Sequence, residues 1–231
     1  MTTRIPEQLA FDIPHRSALG AEDFYVSACN EAAVALIDRW PDWTHPAVIV
    51  GGPPGSGKSH LVNVWQIRSS AVEVSAADLR EAHVADFERA RAIAVENIDR
   101  GIGDERILFH ILNMATEQRL SVLLTTRAAP GDIKAALPDL RSRLRALPFV
   151  SIASPDEPLL RALLIKLFAD RQLNVEPHVV SFLVLRIERS MEAAQRVVAT
   201  VDRLALASHR KVTRALAAEA VALLEGKDPN A

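Results

Sequence analysis

Cysteine is nearly missing from this sequence: Cys29 stands alone, so an internal disulfide is excluded and a reducing cytoplasm is the natural setting. No apolar run reaches the ~18–20 residues that a membrane span requires. The segment from Met1 to Pro14 carries Arg4, Glu7 and Asp12 and no apolar stretch, which excludes a secretory signal. A basic excess is also missing. The chain has 27 Lys and Arg against 29 Asp and Glu, a formal net charge of −2. A protein living mainly on nucleic-acid phosphates would carry a positive surplus, so a dedicated DNA-binding module is disfavoured while a local basic patch is not. Internal repeats and low-complexity tracts are absent. What is present, 49% hydrophobic and 24% charged residues over 231 positions, is the composition of a folded soluble chain with a sizeable core, in one large domain or two small ones.

Residues 1–20, with Pro6, Pro14 and Gly20 and no sustained period, read as a flexible tail. Apolar residues at Phe24, Ala28, Ala32, Leu36 and Trp40 predict an amphipathic helix over roughly 27–39. Pro46-Ala-Val-Ile-Val-Gly51 reads as a buried strand, followed by a helix over 57–68 and a second strand at 71–75. Ala92-Ile-Ala-Val95 is a third apolar run, ending at Glu96-Asn97. Helical spacing over 104–119 precedes a fourth strand at Ser121–Thr125, and Val150-Ser-Ile152 is read as a fifth. Strands alternating with helices imply an α/β fold, a parallel sheet with helices on both faces. After Pro155 the strands cease, and helices are expected at 156–170, 176–187, 190–209 and 213–224. The division is therefore a tail (1–20), a nucleotide-binding α/β domain (21–154) and a small all-helical lid (155–231).

Gly52-Pro53-Pro54-Gly55-Ser56-Gly57-Lys58-Ser59 fits G-x-x-x-x-G-K-[ST] at every fixed position, between a strand and a helix. Glycines let backbone N–H groups turn inward around a phosphate, and the helix N-terminus adds its partial positive charge. Lys58 would reach the β- and γ-phosphates and the Ser59 hydroxyl would coordinate Mg²⁺, with His60 next on the helix. ATP or ADP with magnesium is the ligand this implies. Glu96, ending the third strand, can take the magnesium role. Asn97 stands where a water-activating carboxylate would be, and a neutral amide cannot act as a general base. Alternatively Asn97 is only a strand-end polar residue and Asp99 supplies the charge. The first reading predicts slow intrinsic hydrolysis, a weak ATPase at most, and a long-lived ADP complex.

Thr126, after the fourth strand, is a candidate contact for the γ-phosphate or the attacking water; a solvated loop threonine is the alternative. Arg141, Arg143 and Arg145 stand at alternate positions, so on a helix they serve different surroundings. One could be an arginine finger acting on a neighbour's nucleotide, or the three could form a solvated basic face. In the helical part Arg196 could fold onto the nucleotide, with Arg189 and Arg203 competing for that role.

Taken in order, Phe24-Tyr-Val, Asn30, Gly52–Ser59, Val95-Glu-Asn-Ile-Asp99, Leu-Leu-Thr-Thr-Arg127 and Leu137-Pro-Asp-Leu-Arg-Ser-Arg143-Leu, then a helical lid, resemble the AAA+ core of the DnaA family from about residue 20 to 225. Within that family the chain is most similar to the short Hda-type regulators, for it ends at Ala231 where DnaA goes on into a helix-turn-helix domain. Gln8-Leu9-Ala-Phe11 is similar to the peptide by which replication proteins dock on the β sliding clamp of DNA polymerase III. An extended tail of this kind can place Leu9 and Phe11 in an apolar groove while Gln8 bonds its rim. The resemblance implies an ADP- or ATP-binding regulator that docks on DNA-loaded clamp and promotes hydrolysis of ATP bound to DnaA, with Arg143 as the finger in trans. It implies DnaA and the clamp as partners, DNA contacted only through the clamp, no membrane, and room for a homo-oligomer. Glu96 in place of the usual Asp, Thr126 in place of a more acidic residue and Gln195 where an arginine is expected are departures from the pattern. The alternative function is an AAA+ ATPase with its own cycle, a helicase loader of the DnaC kind; Asn97 counts against it.

Overall fold

Alternate residues of the apolar runs bury against different partners, and that sets the architecture. The computed structural model describes residues 25–226 apart from Arg119 and His209. In chain order the first part comprises α1 (Glu31–Asp38), β1 (Ala47–Gly51), α2 (Lys58–Ser69), β2 (Val72–Ser75) and α3 (Val84–Phe87). It continues with β3 (Ala92–Glu96), α4 (Glu105–Gln118), β4 (Ser121–Thr126), α5 (Pro138–Ala146) and β5 (Phe149–Ser151). The strands form one sheet in the order β2-β3-β4-β1-β5, every pairing parallel.

Ala47, Ile49, Ile93, Val95, Val122 and Leu124 join a core with Leu108 and Ile111 of α4 and Leu140 and Leu144 of α5. The intervening residues Val48, Val50, Ala92, Ala94 and Leu123 join a second core with Ile37 of α1 and Leu61, Val62 and Trp65 of α2. A strand covered on both faces needs apolar side chains at both parities, which is why these runs are continuous rather than alternating. Trp65, fully buried, stacks on Trp43 with ring centroids 5.3 Å apart and meets Trp40 edge-on at 6.2 Å.

The expected helix over 27–39 starts later, at Glu31. Asn30 is the reason. Its buried side chain accepts from the Ser27 N–H (2.8 Å) and donates to the Tyr25 carbonyl (2.9 Å), holding 25–30 as a turn. Short 3-10 turns at Ala76–Asp78 and Glu81–His83, and the helix α3, fill the stretch after β2 that carried no expectation.

Beyond Pro155 come α6 (Glu157–Asp170), α7 (Pro177–Val184), α8 (Met191–Ser208) and α9 (Arg214–Leu224). Asp156 caps α6, its carboxylate accepting from the Leu159 N–H at 2.9 Å, and Thr213 caps α9. These helices bury a core of their own, with Leu160, Leu164, Phe168, Leu183, Val197, Val201 and Leu216 at its centre. Among the described residues no helix is long and apolar enough to cross a membrane.

Candidate nucleotide site and relationship to known proteins

The loop after β1 leaves the sheet at its carboxyl-terminal edge, where open α/β sheets place their ligands. Gly51 pairs with Thr126 in register, and the Gly52 N–H donates to the Thr126 carbonyl at 3.1 Å, so the loop starts from a fixed point. Gly57 takes a left-handed conformation immediately before α2 (φ 97°). Lys58 is buried, and its Nζ donates to the carbonyls of Gly52 (2.6 Å) and Pro53 (2.8 Å) and to Ser56 Oγ (3.4 Å). Burial, with Arg127 and Arg100 adding positive charge, lowers the Lys58 pKa, against which Asp99 and Glu96 pull it up. An ammonium held this way has much to gain from an anion. Ser59 and His60 lie exposed on the first turn of α2.

Glu96 reaches the same spot from the end of β3. Ser59 Oγ donates to its Oε2 at 3.2 Å, while Oε1 is buried without a hydrogen-bond partner. Desolvation is the main cause that raises the Glu96 pKa, and the nearby Glu73 adds to it. An orphaned, desolvated carboxylate oxygen beside a serine hydroxyl fits a divalent cation, which would neutralise it. Among the described residues no cluster of three or more His, Cys, Asp or Glu could hold a metal alone. A magnesium here would take its remaining ligands from phosphate oxygens and water.

Asn97 adopts a left-handed conformation (φ 60°), one that Asn tolerates better than other non-glycine residues. Its N–H donates to Thr125 Oγ1 at 3.0 Å. Asp99 accepts from the Arg127 N–H at 2.8 Å, tying the loop after β3 to the loop after β4. Asn97 thus satisfies the turn, and Asp99 brings negative charge to the site.

Thr126 is fully buried, and its hydroxyl donates to the Ala128 carbonyl (3.1 Å) while accepting from the Ala128 N–H (3.0 Å). Its hydroxyl is engaged by the local backbone. The next residue, Arg127, is exposed and acts on Lys58 through its charge. Sequence reasoning missed Arg127; its place one residue past a strand tip was the available signal.

From the lid, the first turn of α8 meets the phosphate loop. The Met191 N–H donates to the Gly55 carbonyl at 2.8 Å. A Cβ on Gly55 (φ 67°) would stand 3.0 Å from the Cβ of Ser190, and one on Gly57 would stand 3.1 Å from Met191 Sδ. Arg196, more than a turn further along α8, instead lines a lid cavity of about 240 Å³ with Arg186, Glu188, Ala193 and Leu224. The residues brought to the loop are thus Ser190, Met191 and Glu192, none of which was singled out from sequence.

Arg143 is on α5, half-exposed, with its guanidinium 4.9 Å from the centroid of the Phe109 ring on α4. Arg141 and Arg145 are exposed on other sides, and Arg145 donates to the Gly131 carbonyl. Gln8, Leu9 and Phe11 lie outside the described residues.

No family model matches the chain. The DnaA chromosomal replication initiator of Thermomicrobium roseum is 27% identical over 226 residues, covering 87% of this chain and 48% of that protein. The chain thus spans about half the length of the curated relative it matches. Domain III of Thermotoga maritima DnaA superposes with a TM-score of 0.74 at 16% identity, over 89% of this chain and 95% of that one. The fold is that of DnaA domain III. AMPPCP-bound DnaA of Aquifex aeolicus has the same fold (TM-score 0.68, 16% identity, 80% of this chain and 64% of that chain). The likeness takes in both the sheet and the helical part behind it.

Proposed function

We propose that the chain is an ADP- or ATP-binding regulator of replication initiation, cytoplasmic, which acts on a DnaA-type initiator and triggers hydrolysis of that partner's ATP. The observation that carries the reading is the pairing of a complete phosphate site with an arginine on α5 that faces solvent from an aromatic support. Gly52 to Ser59 would hold the phosphates, with Lys58 turning from its loop carbonyls to phosphate oxygens. A magnesium on Ser59 and Glu96 would supply charge neutralisation between phosphates. Asn97 offers no general base, so the chain's own turnover would be slow and its nucleotide would serve as a conformational support. Arg143 would enter the partner's site and stabilise the charge that develops in phosphoryl transfer. The similarity to a DnaA initiator supports a role in replication initiation. Gln8, Leu9 and Phe11 would tether the complex to the β sliding clamp, so that the activity is felt only where DNA is loaded.

The test is ATP hydrolysis by purified DnaA in the presence of clamp and DNA. Wild-type protein should accelerate it, and Arg143→Ala should lose about 10³-fold or more of that acceleration with ADP affinity unchanged. Alanine at Gln8, Leu9 and Phe11 together should remove clamp binding. Acceleration that survives Arg143→Ala would move the finger to Arg141 or Arg145. Turnover by the chain alone at ~1 s⁻¹ or more would reject the regulator in favour of an ATPase with its own cycle.

A further inference from the structure

The helix that carries Arg143 has no cap of its own. Its N-cap residue is Leu137, whose side chain cannot accept a hydrogen bond, and Pro138 follows at the first helical position. Another helix instead supplies an acceptor for the two residues just ahead of the first turn of α5. Glu105, the first residue of α4, accepts from the Ala136 N–H through Oε1 at 2.7 Å and from the Leu137 N–H through Oε2 at 2.6 Å. Both carboxylate oxygens are thus spent on consecutive backbone donors at the entrance to α5. A carboxylate there also meets the positive end of α5 and stands in the first turn of α4, so one charge serves both helix starts. One turn further along α4, Phe109 lies under the Arg143 guanidinium. The same face of α4 therefore fixes where α5 begins and where its half-exposed arginine sits.

We infer that Glu105 is a positioning residue for Arg143, setting the register of α5 on α4 and with it the reach of the guanidinium into a partner's site. The inference rests on the reading of Arg143 as a finger in trans. Phosphoryl transfer is sensitive to the placement of the stabilising charge, and a displacement of about 1 Å can cost about a hundredfold in rate. Replacing Glu105 by Gln keeps the size of the side chain but leaves one carbonyl oxygen for two donors and points an NH₂ at the second.

The experiment compares the full chain with its E105Q and R143A variants in stimulated hydrolysis by DnaA, titrated to saturation. Amide hydrogen exchange of 136–146 is recorded on the same proteins. E105Q should lower the maximal stimulated rate about tenfold or more, with the half-saturating concentration and ADP affinity within about twofold of wild type. Exchange at Ala136, Leu137 and the first turn of α5 should speed up. An unchanged maximal rate overturns the inference. So does a loss that follows weaker ADP binding or a higher half-saturating concentration, since either would place Glu105 in general stability or in partner affinity. If wild type itself gives no stimulation, the finger reading fails. The structural half is then judged on exchange alone, and exchange in α5 that ignores E105Q would overturn that as well.

Discussion

The phosphate loop and the helix α5 are held in opposite ways. At the phosphate loop, groups are pinned by backbone: Gly52 to Thr126, Lys58 to the loop's own carbonyls, Met191 to Gly55. On α5, the arginine is held by side chains of one neighbouring helix, Glu105 at its start and Phe109 beneath it. Backbone pinning suits a group whose ligand is always the same phosphate, because the geometry never needs to adapt. Side-chain support on an exposed helix suits the proposed role of Arg143, a group that would reach into another chain. The comparison implies that the two can be disabled separately.

Lys58→Ala should break the phosphate loop most. It removes a charge-assisted contact of about 1.5–3 kcal/mol, or about 10- to 100-fold in affinity, read as ADP binding by calorimetry. Helix α5 should be indifferent, with unaltered amide exchange at Leu137. Gly55→Ala should come next, at about 1–2 kcal/mol of stability by denaturant unfolding, because a left-handed backbone must accept a Cβ. That Cβ would also push on Ser190 and Glu192, so the first turn of α8 should exchange faster; a lid that stays as protected as before would mean the loop contact carries little.

Glu96→Gln sharpens the comparison through pH. Burial raises the folded Glu96 pKa, so the folded state holds this proton more tightly than the unfolded chain. The resulting stability is fully present below the unfolded pKa and is lost as pH rises through the folded one. A glutamine cannot ionise, so at neutral pH without magnesium the variant should melt slightly above wild type, while magnesium should no longer tighten its nucleotide. In wild type, the magnesium effect should fade as pH falls through the raised folded pKa. A lower melting temperature for the variant would contradict this account. The smallest effect is expected from Arg127→Ala, about two- to fivefold weaker nucleotide binding, because its charge is exposed and screened. Added salt should shrink the difference further.

The central strands β1, β3 and β4 were legible because each is covered on both faces and writes a continuous apolar run, and their predicted and observed limits differ by about a residue. The phosphate loop was legible because its glycines and lysine sit at fixed spacing. Other features could not be read that way. Direction at a strand tip is not written in residue type, so nothing in Thr126-Arg127 tells that the hydroxyl is spent on Ala128 and that the guanidinium charge acts on Lys58. The start of α1 depended on Asn30 closing a turn, and the loop contacts of Ser190 and Met191 join residues more than a hundred positions apart. Glu105 is one acid among 29 Asp and Glu until α5 is placed beside it.

All three tryptophans of the chain, Trp40, Trp43 and Trp65, lie in one cluster beside α2, and the lid helices have neither tryptophan nor tyrosine. Indole emission therefore watches only the α/β body, while far-ultraviolet dichroism reports the helices of the body and of the C-terminal part alike. Two melting curves recorded on one sample then test cooperativity: where they coincide, the helical part and the body unfold as a single unit, and where they separate, the gap measures how independently the helical part unfolds.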